Sequence, residues 1–187
     1  QQELALDPSK KYFLFFGLIR KYKGLDLLLK AFAHLHKKYS NTHLLVVGEH
    51  YESLQKYRDL ATSLEIEASV TFENRYIPNH ELSYWFSACD LVVQPYKTAS
   101  QSGVTPLSIW FNKPTLVTKV GGLYESVIPD KTGWIVDPTV EGIEKGMENY
   151  LNLKNTESFA HNFELQQKKL SWSHFCKECI KFSKTLP

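Results

Sequence analysis

Three short stretches of this chain carry residue types and spacings that suggest chemistry. Ser100-Gln101-Ser102-Gly103-Val104-Thr105 follows an apolar stretch, Leu91–Gln94, that reads as a strand. It precedes an apolar stretch that reads as a short helix over Thr105–Phe111. In a parallel α/β sheet this is where free backbone N–H groups and the positive end of a helix dipole face outward, a setting that favours phosphate. Small side chains let a diphosphate approach those N–H groups closely, and Gly103 is expected to supply an unusual dihedral. Far upstream, Gly17-Leu18-Ile19-Arg20-Lys21-Tyr22-Lys23-Gly24 leaves another strand. Gly17 lets the chain turn, Arg20 offers a planar fork for phosphate oxygens, and Lys23 adds a point charge. The third stretch is Val120-Gly121-Gly122-Leu123-Tyr124-Glu125, whose paired glycines either bring backbone against a ligand or simply turn the chain. Taken singly, each has a bland reading: a solvated basic loop, a tight strand–helix turn, a bend. Taken together they suit an anion with two phosphates, and the simplest such ligand is a nucleoside diphosphate, alone or carrying a sugar.

Other chemistries lack their residues. The Ser100–Thr105 turn has no Gly-Lys-Ser/Thr ending, so it is not a Walker loop, and no G-x-G-x-x-G occurs, which disfavours a dinucleotide. Gln101-Ser102-Gly103 lacks the leading glycine of a nucleophile elbow. None of the seven histidines has zinc-protease spacing. Cys176 and Cys179 form a lone C-x-x-C with no second pair nearby, so neither metal nor redox function is expected and the cysteines are assigned to ordinary helix packing. An odd count of three cysteines argues for a reducing, cytoplasmic setting. A net charge of +2 and short basic runs give no reason to expect nucleic acid. No run of about eighteen apolar residues occurs, so no membrane-spanning helix is expected.

The elements that must position these stretches follow from apolar patterning. Of the 187 residues 43% are apolar and 22% charged, the balance of an ordinary globular domain with a real core. Continuous apolar runs ending in glycine, Tyr12–Phe16 before Gly17 and His43–Val47 before Gly48, read as strands buried on both faces. Shorter strands are expected at Ser69–Phe72, Leu91–Gln94, Thr115–Thr118 and Gly133–Val136. Helical periodicity covers Leu25–Tyr39, Glu52–Leu64, a segment capped by Asn79 and running to Ala88, Thr105–Phe111, Val140–Leu153, Glu157–Leu170 and Ser173–Leu186. Strands alternate with helices about six times. The fold class is therefore α/β, a Rossmann-like doubly wound parallel sheet of about six strands with two extra C-terminal helices. In such sheets ligands bind beyond the carboxyl ends of the strands, and the loops Gly17–Lys23, Gly48–Tyr51, Arg75–Pro78, Pro95–Gly103 and Val120–Glu125 should share that rim. Trp110, Trp134 and Trp172 are expected to anchor the core or its edge.

The order strand, Gly17, Arg20, Lys23-Gly24, then Leu25-Asp26-Leu27-Leu28-Leu29-Lys30-Ala31-Phe32 resembles the opening of the second domain of the GT-B glycosyltransferases, in particular the retaining group called family four or group one. Further matches follow in register: Leu45–Glu49, Val70–Phe72 with Pro78–Leu82, Ala88–Pro95, Pro114–Thr118 with Gly121–Glu125, and Gly133–Val136. The resemblance runs from about Tyr12 to Leu153, and the last two helices are similar to a family tail that packs back toward the other domain. It implies that residues 12–187 are a donor-binding domain, that residues 1–11 are an interdomain lead, and that an N-terminal acceptor domain is absent. It implies a UDP-sugar or GDP-sugar donor, a saccharide or lipid-linked acceptor held by the missing half, no required metal, and peripheral membrane contact, if any, through that half. Arg20 and Lys23 would hold the diphosphate and stabilise its charge as it leaves. The Ser100–Thr105 turn would supply N–H groups, and Tyr76 and Ile77 would edge the base. The reaction implied is transfer of a hexose to an acceptor hydroxyl with retained configuration. The fragment alone would not turn over.

Two departures from the family pattern stand out. Ser100 and Ser108 occupy positions where the family typically has glutamates eight apart, the second of which grips the ribose; a serine hydrogen bond there lacks charge assistance and is weaker by roughly 1 kcal/mol. The family also often places arginine directly after the first glycine, where this chain has Leu18. Two other readings stand beside the transferase one: a non-catalytic nucleotide-binding or scaffold module with a degenerate donor site, and a related two-domain enzyme such as an epimerase or phosphorylase.

Overall fold

The computed structural model describes residue 4, residues 6–153 and residues 157–185. Six parallel strands, β1 (Lys11–Phe16), β2 (Thr42–Val47), β3 (Val70–Glu73), β4 (Leu91–Gln94), β5 (Thr115–Thr118) and β6 (Gly133–Val136), form one sheet in the order β3-β2-β1-β4-β5-β6. Strands β1 and β2 pair over their whole length from Lys11 with Thr42 to Phe16 with Val47. The connecting helices are α1 (Leu25–Lys38), α2 (Leu54–Ser63), α3 (Leu82–Ala88), α4 (Val104–Trp110) and α5 (Val140–Leu151), followed by α6 (Glu157–Lys169) and α7 (Trp172–Ser183). This is the doubly wound α/β arrangement expected of the alternating pattern.

Successive β1 residues point to opposite faces, and both faces are dry. Phe13 and Phe15 join one layer with Leu28, Leu29, Phe32 and Leu35 of α1 and with Ile143 and Met147 of α5. Tyr12 and Leu14 join the other with Trp85 and Phe86 of α3 and Val104 of α4. Each such side chain, fully buried, contributes about 1.5–3 kcal/mol of transfer free energy, which is why a strand with no polar face is stable here.

Three expectations need correction. Asn79 does not cap α3: a 3-10 turn over Asn79–Glu81 intervenes, with Pro78 at its head and no side-chain cap. Trp134 is buried at 7% exposure, but Trp110 and Trp172 are 70% and 80% exposed. Both lie on helix faces that no described element buries, at the edge of a groove they share with Leu107 and Leu170. For the same reason Cys176 and Cys179 lie exposed on α7 rather than packed, while Cys89 is buried. No described helix is long and apolar enough to cross a membrane.

Candidate nucleotide-binding site

Chain direction across the sheet reverses between β1 and β4, so the loops leaving these strands diverge and open a crevice at their carboxyl ends. The loop after β1 is tied to both neighbours. Ile19 N–H donates to the Glu49 carbonyl at 2.8 Å and Tyr51 N–H to the Ile19 carbonyl at 3.1 Å, extending the β1–β2 pairing past the strands. Lys21 N–H donates to the Glu52 carboxylate at 2.9 Å. On the β4 side, Lys97 N–H donates to the Tyr22 carbonyl and Lys97 Nζ pairs with Asp26, both at 2.7 Å. The short turn carrying Arg20 and Lys23 is thereby fixed in place.

Lys23 runs inward and is 8% exposed. Its ammonium sits 5.4 Å from the centroid of the Tyr96 ring. It is also 3.1 Å from the place a β-carbon on Gly17 would occupy, a point 3.7 Å from Val104 Cγ2. Tyr96 hydroxyl and Ser102 Oγ are 3.3 Å apart, and Ser102 Oγ accepts from Val104 N–H at 3.2 Å. The ammonium therefore lies at the foot of the Ser100–Val104 turn. Among the described residues no carboxylate pairs with it. Burial first, and then the Arg20 charge, pull its pKa down to about 8. The Tyr96 ring offsets part of the desolvation cost; an entering anion would offset more.

Arg20 is exposed, with its guanidinium 4.6 Å from the centroid of the Tyr51 ring. It borders an open cleft of about 530 Å³ with Tyr22, Tyr51, Lys97 and Thr98. A smaller cavity of about 120 Å³ is bounded by Phe16, Gly17, Leu18, Gly48, Glu49, Tyr76 and Ile77. Ile77 is 7% exposed and Tyr76 68%. Arg75 steadies this loop through Glu73 Oε1 at 2.6 Å and Glu81 Oε1 at 3.1 Å. A largely apolar recess at Gly17 and Leu18, two residues along the chain from the Arg20 cleft, suits a base joined to a diphosphate.

The structure thus brings Gly17, Arg20, Lys23, Tyr76, Ile77, Ser100, Gln101, Ser102, Gly103 and Val104 to one rim. Two residues of the turn region are not on its open side. Thr105 is 2% exposed and its hydroxyl is engaged with the Gln94 side chain at 3.0 Å. Ser108 is fully buried, and its hydroxyl donates to the Val104 carbonyl at 2.9 Å, one helical turn back. Gly103 has ordinary right-handed backbone at φ −67°, so no unusual dihedral is needed there. A β-carbon on Gly103 would meet nothing within 4 Å, so the glycine faces open space. The paired glycines serve the turn itself: a β-carbon on Gly121 would fall 1.6 Å from the Ala99 carbonyl oxygen, and Gly122 N–H donates to the Ser100 carbonyl at 3.0 Å. Sequence reasoning placed the loops of Tyr51 and Tyr96 on the rim but gave no role to these two side chains, whose rings face the two cations. Their positions just past β2 and β4 were the available signal.

The parallel six-stranded sheet and its flanking helices form a Rossmann-like α/β fold of the GT-B kind, which the matching solved structures share. Residues 1–169 match the family described as glycosyl transferases group 1, and the chain belongs to that family. It is 35% identical over 138 residues to a D-inositol 3-phosphate glycosyltransferase of Segniliparus rotundus, covering 72% of this chain and 30% of that protein. The chain spans about a third of the curated relatives of this kind. Its fold matches Anabaena Alr3699/HepE, solved in complex with UDP, at a TM-score of 0.82 with 19% identity, over 99% of this chain and 51% of the other. It also matches the C-terminal domain of a glycosyl transferase group 1 family protein (LpcC) from Francisella tularensis at a TM-score of 0.77 with 21% identity, over 90% and 89% of the two chains.

Proposed function

We propose that this chain is the donor-binding half of a retaining glycosyltransferase, with residues 12–187 as the C-terminal domain of a GT-B enzyme. The observation that carries this reading is the buried Lys23 ammonium, with no carboxylate partner among the described residues, beside Gly17, which borders the apolar recess and faces Val104 at the end of the Ser100–Val104 turn. A UDP-hexose or GDP-hexose would lay its base against Tyr76 and Ile77 and its diphosphate between Lys23, Arg20 and the N–H groups of the turn. As the glycosidic bond breaks, negative charge grows on the β-phosphate, and preorganised cations stabilise that charge more than the ground state. Arg20 and Lys23 are proposed to supply this in place of a metal ion. The acceptor hydroxyl, of a saccharide or a lipid-linked saccharide, would come from a region outside this chain. Acceptor positioning supplies much of such a rate, so the fragment is expected to bind donor without turnover.

The second reading is a nucleotide-binding module with a degenerate donor site. It is favoured by the internal engagement of Thr105 and Ser108, which leaves neither hydroxyl for a ligand. A thermal-shift panel with UDP, GDP, ADP and their sugars tests both. A ligand at a hundred times its dissociation constant adds about 2.7 kcal/mol, a shift of several degrees. A shift with a nucleoside diphosphate sugar, lost in the Arg20→Ala, Lys23→Ala double variant, supports donor binding. A shift with the diphosphate but none with any of its sugars favours the degenerate module, and no shift at all sinks both.

A further inference from the structure

The loops line up along the rim in the order of the sheet, and an extended ligand laid along that rim would follow the same order. The base recess lies at the loops after β2 and β3, through Gly48, Glu49, Tyr76 and Ile77. The cation and the turn lie at the loops after β1 and β4. A group attached beyond the diphosphate then falls toward the next loop, the one after β5. That loop, Lys119–Ser126, contains a single carboxylate, Glu125. It is held close to the turn: a β-carbon on Gly122 would stand 2.5 Å from the Ser100 carbonyl oxygen and 3.6 Å from both Cδ and Oε1 of Glu125. Glu125 is exposed, and among the described residues its carboxylate has no hydrogen-bond or ion-pair partner. A free carboxylate offers acceptor sites to vicinal hydroxyls, and hydrogen bonds to a charged group are the strong ones.

We infer that Glu125 recognises the sugar of the donor, accepting hydrogen bonds from its ring hydroxyls where the loop after β5 meets the Ser100 turn. The inference rests on the donor-site reading above. It assigns a sugar-contacting role to a side chain that neither cation nor the base recess uses, and makes Glu125 a determinant of which hexose is held.

The test is calorimetric binding of UDP, UDP-glucose, GDP and GDP-mannose to this chain and to its Glu125→Gln and Glu125→Ala variants, with melting curves to establish that both variants fold. The ratio of the sugar nucleotide's Kd to that of its diphosphate is expected to rise about tenfold in both variants, while the diphosphate's own Kd stays within roughly twofold. An unchanged ratio overturns the assignment. So does a parallel loss of both ligands, which would mean that Glu125 merely shapes the turn. Wild-type chain that binds neither UDP nor GDP overturns the donor-site reading itself, and the assignment with it.

Discussion

The Lys23 ammonium lies 3.1 Å from the point where a side chain on Gly17 would begin. The exit from β1 and the buried cation are thus one unit, although five residues separate them. Gly17 has φ +99°, which L side chains rarely adopt, so the glycine is required twice, by backbone and by space. Gly17→Ala is therefore expected to lower stability by roughly 1–3 kcal/mol and to displace the ammonium. A melting curve reads the first effect. Calorimetry with UDP and GDP reads the second, as a weakened Kd beyond what partial unfolding explains. A variant with unaltered melting and unaltered affinity would dissolve the coupling.

Lys23 also makes the ligand-free domain less stable than it could be. Its pKa falls to about 8 when folded, against 10.5 for an unperturbed lysine. Between those values the unfolded chain holds more protons than the folded one, so stability from this group rises as pH climbs from about 8 toward 10.5. Lys23→Met keeps the stem and deletes the charge. It is expected to raise the stability of the free protein at pH 7, on the order of 2 kcal/mol, and to flatten that pH dependence. An anionic ligand reverses the preference. Above pH 8 diphosphate binding must take up a proton, so affinity falls with pH, and heats measured in buffers of different ionisation enthalpy must differ. Lys23→Met removes both signatures together with the binding.

The sheet was legible because β1, β2 and β4 carry the apolar runs Tyr12–Phe15, Leu44–Val47 and Leu91–Val93, each buried on both faces. Arg20, Lys23 and the Ser100 turn were legible because each follows such a run. The burial of Lys23 was not, since it arises from Tyr96 and Val104, far along the chain. Thr105 and Ser108 were misassigned to the open rim. Ser108 lies one helical turn from Val104, whose side chain packs on the sheet, and both hydroxyls turn inward with it. Trp110 and Trp172 were taken for core residues because a large aromatic in sequence does not disclose whether its partner lies within the chain.

Two glycines of the site separate ligand effects from folding effects. Gly103 has helical backbone and nothing within 4 Å of a β-carbon, whereas one on Gly121, at φ +49°, would overlap the Ala99 carbonyl. Gly103→Ala is expected to leave melting unchanged or slightly raised, yet to weaken nucleotide binding, because the added methyl enters space meant for ligand. Gly121→Ala is expected to destabilise by about 2 kcal/mol or more, because backbone must move. Equal stability losses in the two variants would show that the turn is shaped by the protein alone.

Every side chain of α7 is exposed, and Trp172, Phe175, Ile180 and Phe182 are each more than half so. The helix therefore adds little to the stability of the sheet and its layers. Ending the chain after Leu170 is expected to shift the melting temperature by no more than a degree or two, since surface changes distant from packed groups fall within about 0.5 kcal/mol. Thiol chemistry gives an independent check on the same geometry. Cys176 and Cys179 should react with a thiol reagent within the mixing time under native conditions. Cys89, wholly enclosed and with burial pushing its thiol up to about 12, should react only on unfolding. A truncated chain that melts many degrees lower, or a full-length chain with one prompt thiol instead of two, would mean that α7 packs against the domain in solution.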